Sequence, residues 1–404
     1  MAPQVETVRD AAVEERRQRA VESLMLSEHV RHERFDRITR LARLLFAVPM
    51  STITVIDGDR AWFPSSQGIE ATEAPRGETF CDRTTDLDAL VVVPDAQVDD
   101  RFSDLPAVQA GVVRFYAGHP LRDALGNVVG TFCLYDAEPR ELEGELLGAF
   151  GDMAAWAQQE LVASTEMSQA GRVQASLLPA KAVRIGDWEV NGVCLPALAV
   201  GGDFYDYGTS SGVIHVGLGD VMGKGTGAAL VGAGVRAAVR GTHAAVTAGV
   251  DLGITVTQVA RSMLTDLEQA ESFVTLFEAA IDLDDGYARY VDAGSGLCLV
   301  MSPTGEVRRL AGQDRPLGVL PDDHWTEHES TLEPGSRMLV FSDGLLDLVD
   351  DEISWWVPIG DLMRAASDVD SLLASIAGLV QELTALDDVT AVAVFRHLPQ
   401  EASS

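Results

Sequence analysis

Four short segments set aspartate against glycine, or in a turn, at the end of an apolar run. They are Gly201-Gly202-Asp203, Gly219-Asp220 within GLGDVMGKG, Ser342-Asp343-Gly344, and Leu386-Asp387-Asp388-Val389. A strand end fixes a carboxylate, and glycine beside it lets backbone or a hydrated ion approach closely. One Asp-Gly pair is ordinary turn punctuation. Four such segments in one chain are poorly accounted for as turn punctuation, although spacing by itself leaves their convergence open. Hard oxygen ligands without His or Cys suit Mg²⁺ or Mn²⁺ better than zinc. Two such ions about 4 Å apart lower the pKa of a bridging water and clamp a phosphoryl group for in-line attack. The chemistry these residues point to is metal-assisted phosphoester hydrolysis.

Composition narrows the class further. A chain of 404 residues exceeds one ordinary domain, since domains run to about 150 residues. There are 62 Asp and Glu against 30 Lys and Arg, giving a formal net charge of -32. Such a chain is repelled by nucleic acid and by an anionic membrane surface, so neither is an expected partner. The apolar share of 47% is too high for a disordered acidic chain. Cys81, Cys133, Cys194 and Cys298 are scattered, with no disulfide framework and no Cys/His pair at zinc spacing, so structural zinc is not expected. The start, MAPQVETVRDAAVEERRQRA, lacks the apolar core of a signal peptide. The best apolar stretch, residues 227–239, is short and carries Arg236. The expected location is cytoplasmic.

Periodicity divides the chain. The first 15 or so residues read as frayed. Residues 21–46 read as helical, with Phe35, Ile38, Leu41, Ala42 and Leu45 at three- and four-residue steps, ended by Pro49. Strands are expected at 52–56 and 89–93, and a pair within 121–135 joined at Gly126-Asn127. Residues 144–178 read as one long helix stopped by Pro179. Its apolar residues (Phe150, Ala154, Ala157, Leu161, Met167, Ala170, Val173, Leu177) fit a heptad only in part. That leaves open a coiled-coil dimer or a helix packed on its own domain. Beyond it, strand-like runs fall at 213–216, 274–277, 287–291, 297–301, 337–341 and 389–395. Helical patterns fall near 227–247, 254–270 and 368–385. Strands and helices that do not strictly alternate indicate an α+β fold in both halves.

Together these segments resemble the SpoIIE-type branch of the metal-dependent type 2C protein phosphatases. The resemblance covers about residues 165–396. It rests on QASLLP (174–179), VGGDFYDY, GLGDVMGKGTGAAL, ESFVTLFEAAIDLDDGYARYVDAG, RPLGVLPD, VFSDGLLD and LDDVTAVAV. It implies a β-sandwich flanked by helices, with two Mn²⁺ or Mg²⁺ ions at one edge. It also implies removal of phosphate from phosphoserine or phosphothreonine on a protein. By position, Asp203 and Asp220 would bridge or support the two metals, and the Val221 carbonyl would add a ligand. Asp343 and Asp387 would complete the second site, with Asp388 as the fallback. Water activated by the metals would attack, so no protein nucleophile is needed. Two positions depart from relatives: Met222 and Ser295 stand where histidines are found. The proton donor to the leaving group is therefore unassigned.

Residues 20–164 resemble a GAF sensor domain. The resemblance rests on LARLLFAVPMSTITVIDGDRAWFPSSQGIE, APRGETFCDRTT, LVVVPDAQVDDRF, VRFYAGHPL and GNVVGTFCLYDAEPR. Such domains enclose a pocket over an antiparallel sheet, pair through flanking helices and bind diverse ligands, so the GAF ligand stays unknown. Cys81 for a chromophore or redox role, and His119 for haem, are weaker readings than ordinary packing. Trp62, Phe63, Phe115 and Tyr116 read as core before pocket. The glycine run at 217–227 fails the P-loop pattern, with Leu218 and Gly225 at two required positions.

The expected layout is a tail (1–19), a GAF domain (20–164), a connecting signalling helix (150–182), a phosphatase domain (183–397) and a second tail (398–404). The resemblance implies a homodimer acting on a phosphorylated anti-sigma-factor antagonist or similar regulatory protein. A small-molecule or protein effector would act at the GAF domain. The alternative is a catalytically degraded phosphatase serving as a ligand-sensing binding module.

Overall fold

The computed structural model describes residues 11–24, 33–349, 354–383 and 385–399. The chain divides into two compact units, Met1–Gln169 and Ala170–Ser404.

The first unit opens with helices α1 (Ala11–Leu24) and α2 (Glu33–Phe46). Residues 11–15, read as frayed, are therefore helical; residues 1–10 and 25–32 lie outside the described residues. There follow β1 (Met50–Asp57), β2 (Arg60–Gln67), β3 (Glu73–Pro75), α3 (Phe80–Leu87), β4 (Val91–Val93), α4 (Pro106–Gln109), β5 (Phe115–Arg122), β6 (Val128–Asp136) and α5 (Gly144–Leu177). The sheet is antiparallel, in the order β3-β2-β1-β6-β5-β4. Strand β2 escapes the sequence reading because Pro64 sits inside it. The β1–β2 register shifts between Ile53 and Val55, and such a bulge admits a residue without an N–H.

On one face of this sheet Phe35, Ile38, Ala42 and Phe46 of α2 pack with Phe150, Ala154, Ala157 and Leu161 of α5. That half of the α5 stripe is spent on its own domain and supplies no coiled-coil seam. Leu41 and Leu45, read as part of the α2 stripe, are exposed at 44% and 52%. The opposite face is filled by Phe80, Phe102, Tyr116 and Tyr135 around Cys81 and Cys133. Its rings lie 4.6 Å (Phe80–Tyr116) and 5.3 Å (Phe80–Phe102) apart.

The second unit holds β7 (Val183–Ile185), β8 (Trp188–Leu195), β9 (Phe204–Ser210), β10 (Val213–Val221), α6 (Thr226–Thr247), α7 (Leu252–Gln269), β11 (Val274–Asp282), β12 (Tyr287–Ala293), β13 (Cys298–Met301) and β14 (Val307–Leu310). It continues with β15 (His328–Thr331), β16 (Arg337–Phe341), α8 (Trp356–Ala365), α9 (Val369–Glu382) and β17 (Val389–Arg396). One sheet runs β15-β12-β11-β10-β9 and the other β14-β13-β16-β17-β8-β7. Trp188, Tyr205, Val216, Phe277, Val340 and Val392 form the layer between the sheets. Helices α6 and α7 cover the outer face of the first sheet, and α8 and α9 that of the second. This is the sandwich flanked by helices that the resemblance implies, in an α+β fold.

Strand β8 is hidden in the sequence by Asn191-Gly192, which reads as a turn. Gly192 is needed there for another reason: a Cβ would stand 2.7 Å from the Tyr205 ring. Helix starts follow local chemistry. Asp251 accepts from Ile254 N at the head of α7, and Asp368 forms a capping box with Ser371 at the head of α9. Among the described residues no helix is long and apolar enough to cross a membrane. Replacing Asp368 with alanine removes the α9 cap and is expected to cost about 1 kcal/mol, read as a lower urea midpoint with unchanged m-value.

Candidate functional site

The two sheets bring the four aspartate segments to one edge of the sandwich. Asp220 is the penultimate residue of β10, and Asp203 immediately precedes β9, which pairs with it. Asp343 follows β16 by two residues and opens a short 3-10 turn, Asp343–Leu348. Asp387 and Asp388 precede β17, which pairs with β16.

Their electrostatics show the proximity. Burial, then the charge of Asp220, hold the Asp203 carboxyl well above the usual range. Burial, then the charge of Asp343, push Asp220 up to about 6. Asp343 is raised by burial and then by Asp387. Asp203 is 1% exposed, and its Oδ2 is buried without a hydrogen-bond partner. An orphaned carboxylate oxygen beside further acids is costly unless a cation satisfies it. The donor set, carboxylates with a backbone carbonyl and no His or Cys, fits a hard divalent ion. The Val221 carbonyl faces Gly202, where a Cβ would lie 2.7 Å from it.

Asp387 and Asp388 have different environments. Asp388 is 5% exposed. Its Oδ1 accepts from Ala197 N and its Oδ2 from Gly202 N, both at 2.8 Å. Both oxygens are thus engaged in holding the loop before β9. A Cβ on Gly201 would stand 2.2 Å from Asp388 Oδ2, which accounts for the first glycine of the Gly-Gly-Asp segment. Asp387 is partly exposed and pairs with Lys224 at 3.0 Å. This geometry favours Asp387 over Asp388 as the ligand.

Several contributors are silent in the sequence reading. Ser342 Oγ donates to the Asp388 carbonyl at 3.1 Å and accepts from Thr390 N at 2.9 Å, tying two acid segments together. Lys224 Nζ also donates to the Leu386 carbonyl at 2.7 Å. In the sequence it stands as a cation inside the glycine run of residues 217–227, near acids. Gln174, in the last turns of α5, donates to the Gly201 carbonyl (2.7 Å) and accepts from Gly201 N (3.1 Å). A Cβ on Gly171 would meet the Ala199 carbonyl at 2.3 Å. The end of α5 thus clamps the loop that leads into Asp203. Met222 is 44% exposed. Ser295 N donates to Asp292 Oδ1 at 3.0 Å, in a turn closed by that buried acid.

In the first unit the weaker readings resolve as packing. Cys81 is 1% exposed, 3.6 Å from Cys133 Sγ and 3.2 Å from the Tyr135 hydroxyl. His119 Nδ1 lies 2.8 Å from the Pro120 carbonyl. Trp62, Phe115 and Tyr116 are buried core. A separate cleft of about 370 Å³ is lined by Arg17, Arg76, Arg122, Asp86 and Asp88.

Residues 210–397 match the family described as Stage II sporulation protein E (SpoIIE), and residues 30–158 match the GAF domain. The chain carries a GAF domain and a SpoIIE-family domain. The SpoIIE match takes in Asp220, Asp343, Asp387 and Asp388 but begins after Asp203, whose place rests on geometry. Among curated relatives, the cyclic di-GMP phosphodiesterase PA2567 of Pseudomonas aeruginosa is 38% identical over 31% of this chain and 22% of its own length. The phosphoserine phosphatase RsbU of Bacillus subtilis is 27% identical over 47% of this chain and 55% of its own length. The chain thus spans between about a fifth and about half of these relatives. The solved SiaA-PP2C domain of Pseudomonas aeruginosa is 24% identical, with a TM-score of 0.49, covering 59% of this chain and 98% of that domain.

The raised carboxylates predict a pH signature. Protonated Asp220 is favoured in the metal-free fold, so its contribution is full below about pH 4 and lost as pH rises through about 6. In EDTA the melting temperature should fall across that window, and less steeply in Asp220→Asn. Mn²⁺ should restore stability above about pH 6 and progressively fail below it, because protons compete for the same oxygens.

Proposed function

We propose that this chain is a metal-dependent protein serine/threonine phosphatase governed by its GAF domain. Its substrate would be a phosphorylated anti-sigma-factor antagonist or similar regulatory protein in a partner-switching pathway of the cytoplasm. The observation that carries the reading is the buried, partnerless Oδ2 of Asp203 within a set of aspartates at one sandwich edge. The relative named as a phosphoserine phosphatase supports the substrate class.

Asp203, Asp220, Asp343, Asp387 and the Val221 carbonyl would hold two Mn²⁺ or Mg²⁺ ions. Bound there, the ions would lower the pKa of a water and neutralise charge building on the phosphoryl oxygens. Asp388 keeps the Gly201-Gly202 loop in place through two backbone N–H groups. Lys224, held protonated by Asp387, balances part of the acid set at the rim. Met222, Gly223 and Lys224 are exposed, so the rim is open to a protein-borne phosphate and to the water that would protonate the leaving group.

Regulation would run through α5, unbroken from Gly144 to Leu177. A GAF signal that displaces this helix would pull on Gly201 through Gln174. The effector would be a small molecule or a protein acting at the GAF domain. A homodimer fits the exposed Leu41, Leu44 and Leu45 of α2, at 44%, 74% and 52%.

Hydrolysis of p-nitrophenyl phosphate by the full chain should require Mn²⁺ or Mg²⁺ and vanish in EDTA. Asp343→Asn should lower the rate by about 100-fold or more, because an amide brings no charge to a metal ligand position. Turnover in EDTA, or a wild-type rate in Asp343→Asn, would contradict the assignment. Gln174→Ala should raise the Mn²⁺ concentration for half-maximal rate by about tenfold. An unchanged metal response would remove Gln174 from the coupling.

A further inference from the structure

A second polar cluster lies away from the aspartate edge, between the first sheet and α6. Strand register places His215 opposite Ala280 and Gly217 opposite Glu278, so His215 and Glu278 share one face of the sheet. Arg236, Arg240, His243 and Thr247 of α6 follow one another at helical spacing and reach down to that face. Asp206, opposite Gly217 on β9, takes Arg236 and Arg240 as its cations. Glu278 has no such arginine: its salt-bridge partner among the described residues is His243, at 3.1 Å.

The cluster is built but incompletely satisfied. His215 is 1% exposed and Glu278 2%. His215 Nδ1 and Glu278 Oε2 are both buried without a hydrogen-bond partner. The His215 and His243 rings stack with centroids 4.2 Å apart. One ligand atom from each of His215, His243 and Glu278 lies within 4.8 Å of the others. Gly217 makes the room, since a Cβ there would stand 2.2 Å from Glu278 Oε2. Thr247 Oγ1 lies 2.8 Å from His215 Nε2. With that nitrogen donating to the hydroxyl, Nδ1 keeps its lone pair free, as a ligating histidine requires.

We infer that His215, His243 and Glu278 form a binding site for a divalent transition metal of the zinc type, separate from the aspartate edge. Two imidazoles and a carboxylate, with a position left for water, match the donor set that zinc takes. The ion takes the place of the proton between His243 Nε2 and Glu278 Oε1: from a singly protonated pair that proton passes to His243 Nδ1, and from a doubly protonated pair one proton leaves to solvent. It supplies a partner for both orphaned atoms. It also fastens α6 to β10 and β11, and α6 starts directly after the Gly223-Lys224-Gly225 rim. His243, with its side chain 16% exposed, is the side open to an entering ion. The three residues stand far apart in the sequence, so no spacing motif announces them.

The test is calorimetric titration of ZnCl₂ into the chelator-stripped full chain, with excess Mg²⁺ present to occupy the aspartate edge. One Zn²⁺ per chain should bind, and Asp343→Asn should bind it equally well. His243→Ala and Glu278→Gln should each weaken it by about 100-fold. X-ray absorption at the zinc edge of the wild-type chain should show two imidazoles in the first shell, a readout that does not depend on any variant folding. Zinc that is displaced by Mg²⁺, that disappears with Asp343→Asn, or whose first shell lacks imidazole would overturn the inference.

Discussion

Like charges forced together at the edge of a β-sandwich organise the second unit. Asp203, Asp220, Asp343 and Asp387 arrive from four segments, and burial adds to their mutual repulsion. Without a cation the arrangement is strained, because each carboxylate raises its neighbour's cost of ionising. The surroundings serve to keep the acids in place despite that cost. Asp388 gives both oxygens to backbone, Ser342 ties its own segment to the one before β17, and Gln174 grips Gly201. The glycines are explained by the same crowding: side chains at 201 or 202 would collide with Asp388 or with the Val221 carbonyl.

Two polar sets on one domain follow opposite chemistry. The edge set is all oxygen and suits hard ions that exchange readily. The set beneath α6 mixes imidazole and carboxylate and suits a softer ion held in place. Helix α6 is common to both, since it begins beside the rim and its far half covers His215 and Glu278. Helix α5 has a comparable double role. Its first half completes the core of the GAF unit through Phe150 and Leu161, and its last turns hold the loop before Asp203.

The aspartate edge was legible in the sequence because its residues come in short local patterns of strand end, glycine and acid. The long strands were legible through runs of branched residues such as Val389–Phe395. Strands β2, β8 and β9 were not, since Pro64, Asn191-Gly192 and Asp206 carry the signals of turns. Those residues are tolerated for tertiary reasons: a bulge opposite Pro64, the Tyr205 ring over Gly192, and two arginines on Asp206. The choice between Asp387 and Asp388 was equally closed to sequence, because adjacent aspartates differ only in which backbone groups they meet. The His215–His243–Glu278 set depends wholly on strand register and on the face that α6 presents.

The proposed chemistry depends on two divalent ions at the aspartate edge, held by Asp203, Asp220, Asp343 and Asp387. Anomalous diffraction at the manganese edge, from crystals of the full chain grown with MnCl₂, addresses it directly. Two peaks are expected among these carboxylates and the Val221 carbonyl, with Asp388 still bound to Ala197 N and Gly202 N. An edge without manganese, or one in which Asp388 has left the backbone to become a ligand in place of Asp387, would contradict it.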